Sequence, residues 1–155
     1  MSGAVKSAGS AGMPALPEHG ARELGRDELV AWGEAFGAAL SAPCIITLDG
    51  ELGAGKTTLA QAICRGVGVS EPVTSPTFAL VHQYRGTRAM VFHLDLYRID
   101  SPRDLTNLAW DEIVGANAVV LIEWPERAGP ALPNPDVSIS LVHIANTPDM
   151  RRLVW

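Results

Sequence analysis

Lysine is nearly absent from this chain. Of its twelve basic residues only Lys6 and Lys56 are lysines, so a compact ammonium occurs once, at Lys56, in the part that reads as folded. Positive charge as a whole is also scarce. The net charge of −5 and pI of about 5.3 argue against a free-standing nucleic-acid binder, because neutralising phosphates takes a surplus of Lys and Arg on one face. Any connection to nucleic acid then runs through a partner. Cysteine is limited to Cys44 and Cys64, without CxxC spacing or a small secreted scaffold, which predicts buried reduced thiols and a cytoplasmic address. No segment approaches the roughly eighteen consecutive apolar residues that a membrane span needs, and the first twenty residues hold no apolar stretch long enough for a signal-peptide core. Rich in Gly, Ala, Ser and Pro, residues 1–20 read as a disordered tail before a single domain over 21–155. There is no internal repeat, and His19, His82 and His143 lack the spacing of a structural zinc site.

What is present is the composition of an ordinary globular protein, 47% hydrophobic and 19% charged, enough to bury a core. Asp27 is placed to cap a helix over 27–40, whose apolar positions Leu29, Val30, Ala35, Phe36, Ala39 and Leu40 recur at a helical period. Residues 44–48 are apolar and β-branched, as expected of a strand buried on both faces. Residues 56–65 read as a second helix closed by Gly66 and Gly68. Residues 78–84 and 90–95 flank a turn at 85–87 and predict a hairpin; Pro102 opens a short helix, and a further helical turn runs through 110–112. Residues 118–122 form another wholly apolar strand with Glu123 at its end, followed by a Pro-rich loop at 130–135 and strands at 137–144 and 151–155. The pattern is α/β, a mixed β-sheet flanked by helices.

Gly50-Glu51-Leu52-Gly53-Ala54-Gly55-Lys56-Thr57 fits G-x-x-x-x-G-K-[ST] between a strand and a helix, so the expected mixed sheet is P-loop NTPase-like. Glycines there let the backbone N–H groups curl inward around phosphate oxygens, and the helix that follows presents its positive dipole end to the same anion. Lys56 then reaches the β- and γ-phosphates of a nucleoside triphosphate, and the Thr57 hydroxyl ligates Mg²⁺. Such a loop needs a carboxylate on the metal side, and Glu123, ending five aliphatic residues, is the candidate. His93 and Asp95 share one face of their strand. Asp95 is a candidate to position or deprotonate the attacking water or to support the metal, against the plainer roles of pairing with Arg98 or capping a turn. His93 is expected to be structural. Ser75-Pro76-Thr77 is either a switch that senses the γ-phosphate or an ordinary loop.

Four ordered segments together carry a closer likeness: Gly50 to Thr58, Ser75-Pro76-Thr77-Phe78, His93-Leu94-Asp95-Leu96-Tyr97-Arg98, and Ile122-Glu123-Trp124-Pro125. From about Asp27 to Trp155 the chain closely resembles the TsaE family, small P-loop ATPases of bacterial tRNA threonylcarbamoyladenosine synthesis. The resemblance implies an ATP cradle at Glu51, Leu52, Gly53, Ala54, Gly55, Lys56, Thr57 and Thr58, Mg²⁺ on Thr57 and Glu123, and a catalytic or switch role for Asp95 beside Glu123. It further implies an assembly with TsaB and TsaD that transfers a threonylcarbamoyl group to adenosine 37 of tRNA, with ATP hydrolysis resetting the assembly and tRNA reached only through the complex. One departure is Leu29, where family members often carry Thr near the nucleotide base. The competing readings are a small P-loop kinase, for which no basic lid cluster is evident, a GTPase, whose N-K-x-D lysine is missing downstream of Lys56, and a nucleotide-gated binding module with negligible turnover.

Overall fold

The computed structural model describes residues 19–155, so all but the last two residues of the expected tail, 1–20, lie outside the described residues. Seven strands among these residues form one sheet: β1 (Ala21–Leu24), β2 (Cys44–Gly50), β3 (Val81–Arg85), β4 (Met90–Asp95), β5 (Ala118–Glu123), β6 (Val137–His143) and β7 (Arg151–Val154). Their order across the sheet is β1-β7-β6-β2-β5-β4-β3. The four central strands, β6, β2, β5 and β4, are parallel, whereas β3, β7 and β1 each pair antiparallel at the margins. The sheet is mixed, as the hairpin expected over residues 78–95 predicts. Among the described residues three α-helices join it: α1 (Arg26–Ala39), α2 (Lys56–Val67) and the short α3 (Trp110–Val114), along with 3₁₀ segments at Pro102–Leu108 and Pro125–Ala131.

Burial on both faces of β5 explains why its residues 118–122 are all apolar. Val119 and Leu121 pack with Leu29, Phe36, Leu59 and Ile63 under α1 and α2, while Val120 and Ile122 pack with Leu105, Trp110 and Ile113 on the opposite face. Full burial of each such aliphatic contributes about 1.5–3 kcal/mol, so both faces hold the sheet. By the same period-two rule Glu123 shares the α2 face with Val119 and Leu121, and His93 and Asp95 share it with Val91. Cys44 and Cys64 are buried thiols, and burial pushes Cys64 up to about 12.

Local departures from the expected elements have identifiable causes. Asp27 does not cap α1; the cap is Gly25, whose N–H donates to Glu28 Oε1 (3.0 Å), so the helix begins at Arg26 and Asp27 lies in its first turn. Gly66 does not end α2 but lies inside it, and the left-handed cap is Gly68 alone. Residues 78–80 are not strand. Leu80 adopts φ 68° and its N–H donates to the Pro76 carbonyl (2.6 Å), closing a turn that leaves Phe78 exposed under the Arg98 guanidinium (4.4 Å). Strand β1 had no sequence signal; it is held by pairing with β7.

Candidate functional site

The loop after β2 turns through Gly53 (φ 80°) and Gly55 (φ 107°), and Gly55 serves as the N-cap of α2. The left-handed conformation at Gly55 is open to glycine at little cost, which lets the chain pass from turn to helix while the start of α2 faces the cavity. Lys56 is almost fully buried, and its ammonium donates to the carbonyls of Gly50 and of Glu51 (3.0 Å). The Trp124 ring lies over the same ammonium, 4.1 Å from Nζ to centroid. Burial holds the Lys56 pKa below the ordinary lysine value, against the opposing pull of Glu123, Asp95, Asp49 and Glu126. From β7, Arg151 donates through Nε to the Ala54 carbonyl (3.0 Å), holding the loop, and itself lines the cavity that the loop borders.

The parallel register places Asp95 beside Glu123 at the carboxyl ends of β4 and β5, next to the end of β2 where the loop starts. Open parallel sheets build ligand sites at such ends. Thr57 Oγ1 lies 3.3 Å from both Oε1 and Oε2 of Glu123. Asp95 Oδ1 accepts from the Tyr97 N–H (3.0 Å), and Oδ2 accepts from Thr77 Oγ1 (3.2 Å), which itself contacts Ser75 Oγ (2.6 Å). Asp95 thus does cap a turn, and it also tethers the 75–77 loop. His93, expected to be structural, reaches Glu123 Oε2 through Nε2 at 2.6 Å.

One cavity of about 690 Å³ gathers these groups. Leu52, Gly53, Ala54, Gly55, Lys56, Thr57 and Thr58 line it together with Ser75, Thr77, Asp95, Glu123 and Trp124, and Gly25, Arg26, Leu29 and Met150 line it as well. Glu51 does not line it; it enters only through the carbonyl that receives Lys56. The volume falls in the range of small-molecule and cofactor sites, about 300–1,000 Å³. A buried ammonium and a helix N-terminus suit an anion, while a hydroxyl and a carboxylate facing each other suit a hard cation. Trp124 and Arg151 were not singled out as site residues. The signal for Trp124 was its place directly after Glu123; for Arg151 there was none.

The family model described as "Threonylcarbamoyl adenosine biosynthesis protein TsaE" matches residues 25–153. The chain belongs to the TsaE family. Among its curated relatives, the tRNA threonylcarbamoyladenosine biosynthesis protein TsaE of Nostoc sp. is 39% identical over 72% of this chain and 70% of its own length. The protein of that name from Treponema pallidum is 38% identical, covering 74% and 84% respectively. That of Mycobacterium tuberculosis is 34% identical, covering 83% and 81%. The crystal structure of Bacillus subtilis YdiB superposes with a TM-score of 0.74 at 24% identity, over 91% of this chain and 86% of the other, and shares the fold. As a TsaE-family member, the chain is assigned to tRNA threonylcarbamoyladenosine biosynthesis and has a P-loop-type fold. Among the described residues no helix is long and apolar enough to cross a membrane.

Proposed function

We propose that this chain is the ATP-binding and ATP-hydrolysing component of the cytoplasmic machinery that forms N6-threonylcarbamoyladenosine at position 37 of tRNA, acting with TsaB and TsaD. The observation that carries the reading is the convergence, in one cavity, of the phosphate loop with Lys56, the facing pair Thr57 and Glu123, and Asp95. Lys56 is held by two carbonyls and would exchange them for β- and γ-phosphate oxygens, a stronger charge-assisted contact. The loop N–H groups and the start of α2 would bind the remaining phosphate charge.

Thr57 and Glu123 fit Mg²⁺, since both present oxygen donors from opposite sides, and the ion bound there would offset charge on the phosphates. Asp95 keeps acceptor capacity beyond its bonds to Tyr97 and Thr77, and would orient or deprotonate the attacking water. Through Thr77 it is tied to the 75–77 loop, so docking of partners that order this loop would complete the site around the γ-phosphate. tRNA is reached only through the complex, in keeping with the net charge of −5. ATP turnover measured for the chain alone and with TsaB and TsaD tests the reading. Slow turnover alone and faster turnover in the assembly is the expected outcome; equal rates would remove the case for a partner-gated ATPase.

A further inference from the structure

His93 is completely buried, and its two ring nitrogens have unequal surroundings. Nε2 lies 2.6 Å from Glu123 Oε2, whereas Nδ1 has no hydrogen-bond partner among the described residues. A buried N–H without an acceptor is costlier than a bare ring nitrogen, so the network assigns the proton to Nε2, donating to the carboxylate. A strand residue that only filled the core would be aliphatic like Val91, two positions earlier on the same face. An imidazole with one nitrogen unpartnered is a poor core filler. What it supplies is a single donor aimed at Glu123.

We propose that His93 is a positioning residue that fixes the Glu123 carboxylate for the metal, an inference that rests on the functional reading above. In register, Glu123 neighbours Asp95 and the His93 bond crosses diagonally, because His93 itself pairs with Leu121. The two adjacent carboxylates therefore have separate partners: His93 and Thr57 for Glu123, the Tyr97 N–H and Thr77 for Asp95. With Oε2 held from behind, the plane of the Glu123 carboxylate is set, and its remaining lone pairs face Thr57 and the cavity. His93 does not line that cavity, so it acts only through Glu123. Groups that hydrogen-bond metal ligands in this way orient them and raise metal affinity.

The test compares His93→Leu and His93→Gln in the full chain, the second because the Gln side-chain amide can donate near the position of imidazole Nε2. The probe is a fluorescent, non-hydrolysable ATP analogue, and the quantity read is the ratio of its affinity at saturating Mg²⁺ to that in chelator. We expect His93→Leu to lower the ratio about 10–100-fold and His93→Gln to restore it to within about threefold of the wild type. A His93→Leu ratio equal to the wild-type one, or a His93→Gln ratio as low as that of His93→Leu, would overturn the proposal. A wild-type affinity indifferent to Mg²⁺ would overturn the functional reading and this inference with it; a wild type that responds beside an equally responsive His93→Leu overturns this inference alone. Should the variants not fold, ¹⁵N NMR of the wild-type imidazole decides. A proton on Nε2 is expected, and a proton on Nδ1 instead would refute the assignment.

Discussion

Single side chains at this site answer to different chemistry. Lys56 offers the ammonium at the phosphate loop, where it is satisfied by backbone carbonyls rather than by an acid. Lys56→Ala should therefore leave the fold intact and lower ATP affinity by roughly ten- to a hundredfold, the equivalent of losing a charged hydrogen bond worth about 1.5–3 kcal/mol. Unchanged affinity and turnover in a binding titration and a phosphate-release assay would defeat the site assignment. Glu123 and Asp95 sit side by side yet should separate kinetically. Glu123→Ala should weaken Mg²⁺-dependent binding as well as hydrolysis. Asp95→Ala should depress hydrolysis more than binding, because a group that orients water acts mainly in the transition state. Wild-type turnover by Asp95→Ala in the full assembly would show that Asp95 is no more than the turn cap that its bond to the Tyr97 N–H also makes it.

At the scale of elements, α2, which follows the phosphate loop directly, is packed tightly against α1. The two helices approach so closely that a Cβ on Gly66 would lie 2.2 Å from the Glu34 carbonyl oxygen, and one on Gly37 2.2 Å from that of Ile63. Arg88 bridges the same crossing, donating to the carbonyls of Gly37 (2.6 Å), Leu40 (3.0 Å) and Gly66 (3.0 Å). Helix propensity alone says that Gly66→Ala stabilises α2 by about 0.5–1 kcal/mol. Overpacking costs about 1–3 kcal/mol or more, and here the obstacle is backbone that cannot rotate away, so the packing effect wins. Gly66→Ala should lower the urea midpoint by an amount equivalent to at least about 1 kcal/mol with little change in slope. A raised midpoint would mean that the helices part easily. In sequence Gly66 looks like a helix stop, because a mid-helix glycine and a terminal one differ only in what lies opposite them.

For the molecule as a whole, the parallel run β6-β2-β5-β4 brings the ends of three strands together and leaves the antiparallel strands at the margins. The net charge of −5 gives no electrostatic attraction to a polyanion, and the isolated chain should bind tRNA poorly at physiological salt. Filter binding or fluorescence anisotropy checks this. Tight tRNA binding that collapses with added salt would show a basic face that the composition does not suggest, and would contradict access through the complex alone.

Sequence by itself determined what is contiguous or periodic. The phosphate loop lies within eight successive residues, so its turn follows from local backbone freedom at Gly53 and Gly55. The apolar run over residues 118–122 reports a strand covered on both faces, and Glu123 at its end follows from chain order. Four motifs in order were enough to recognise the family. Contacts between residues far apart in the chain were settled only by tertiary structure. Whether His93 meets Glu123, whether Trp124 covers Lys56, whether Arg151 grips Ala54 and whether β1 finds β7 depend on which strands become neighbours and in what register. Register is chosen by burial summed over the whole sheet, and no local period carries that information.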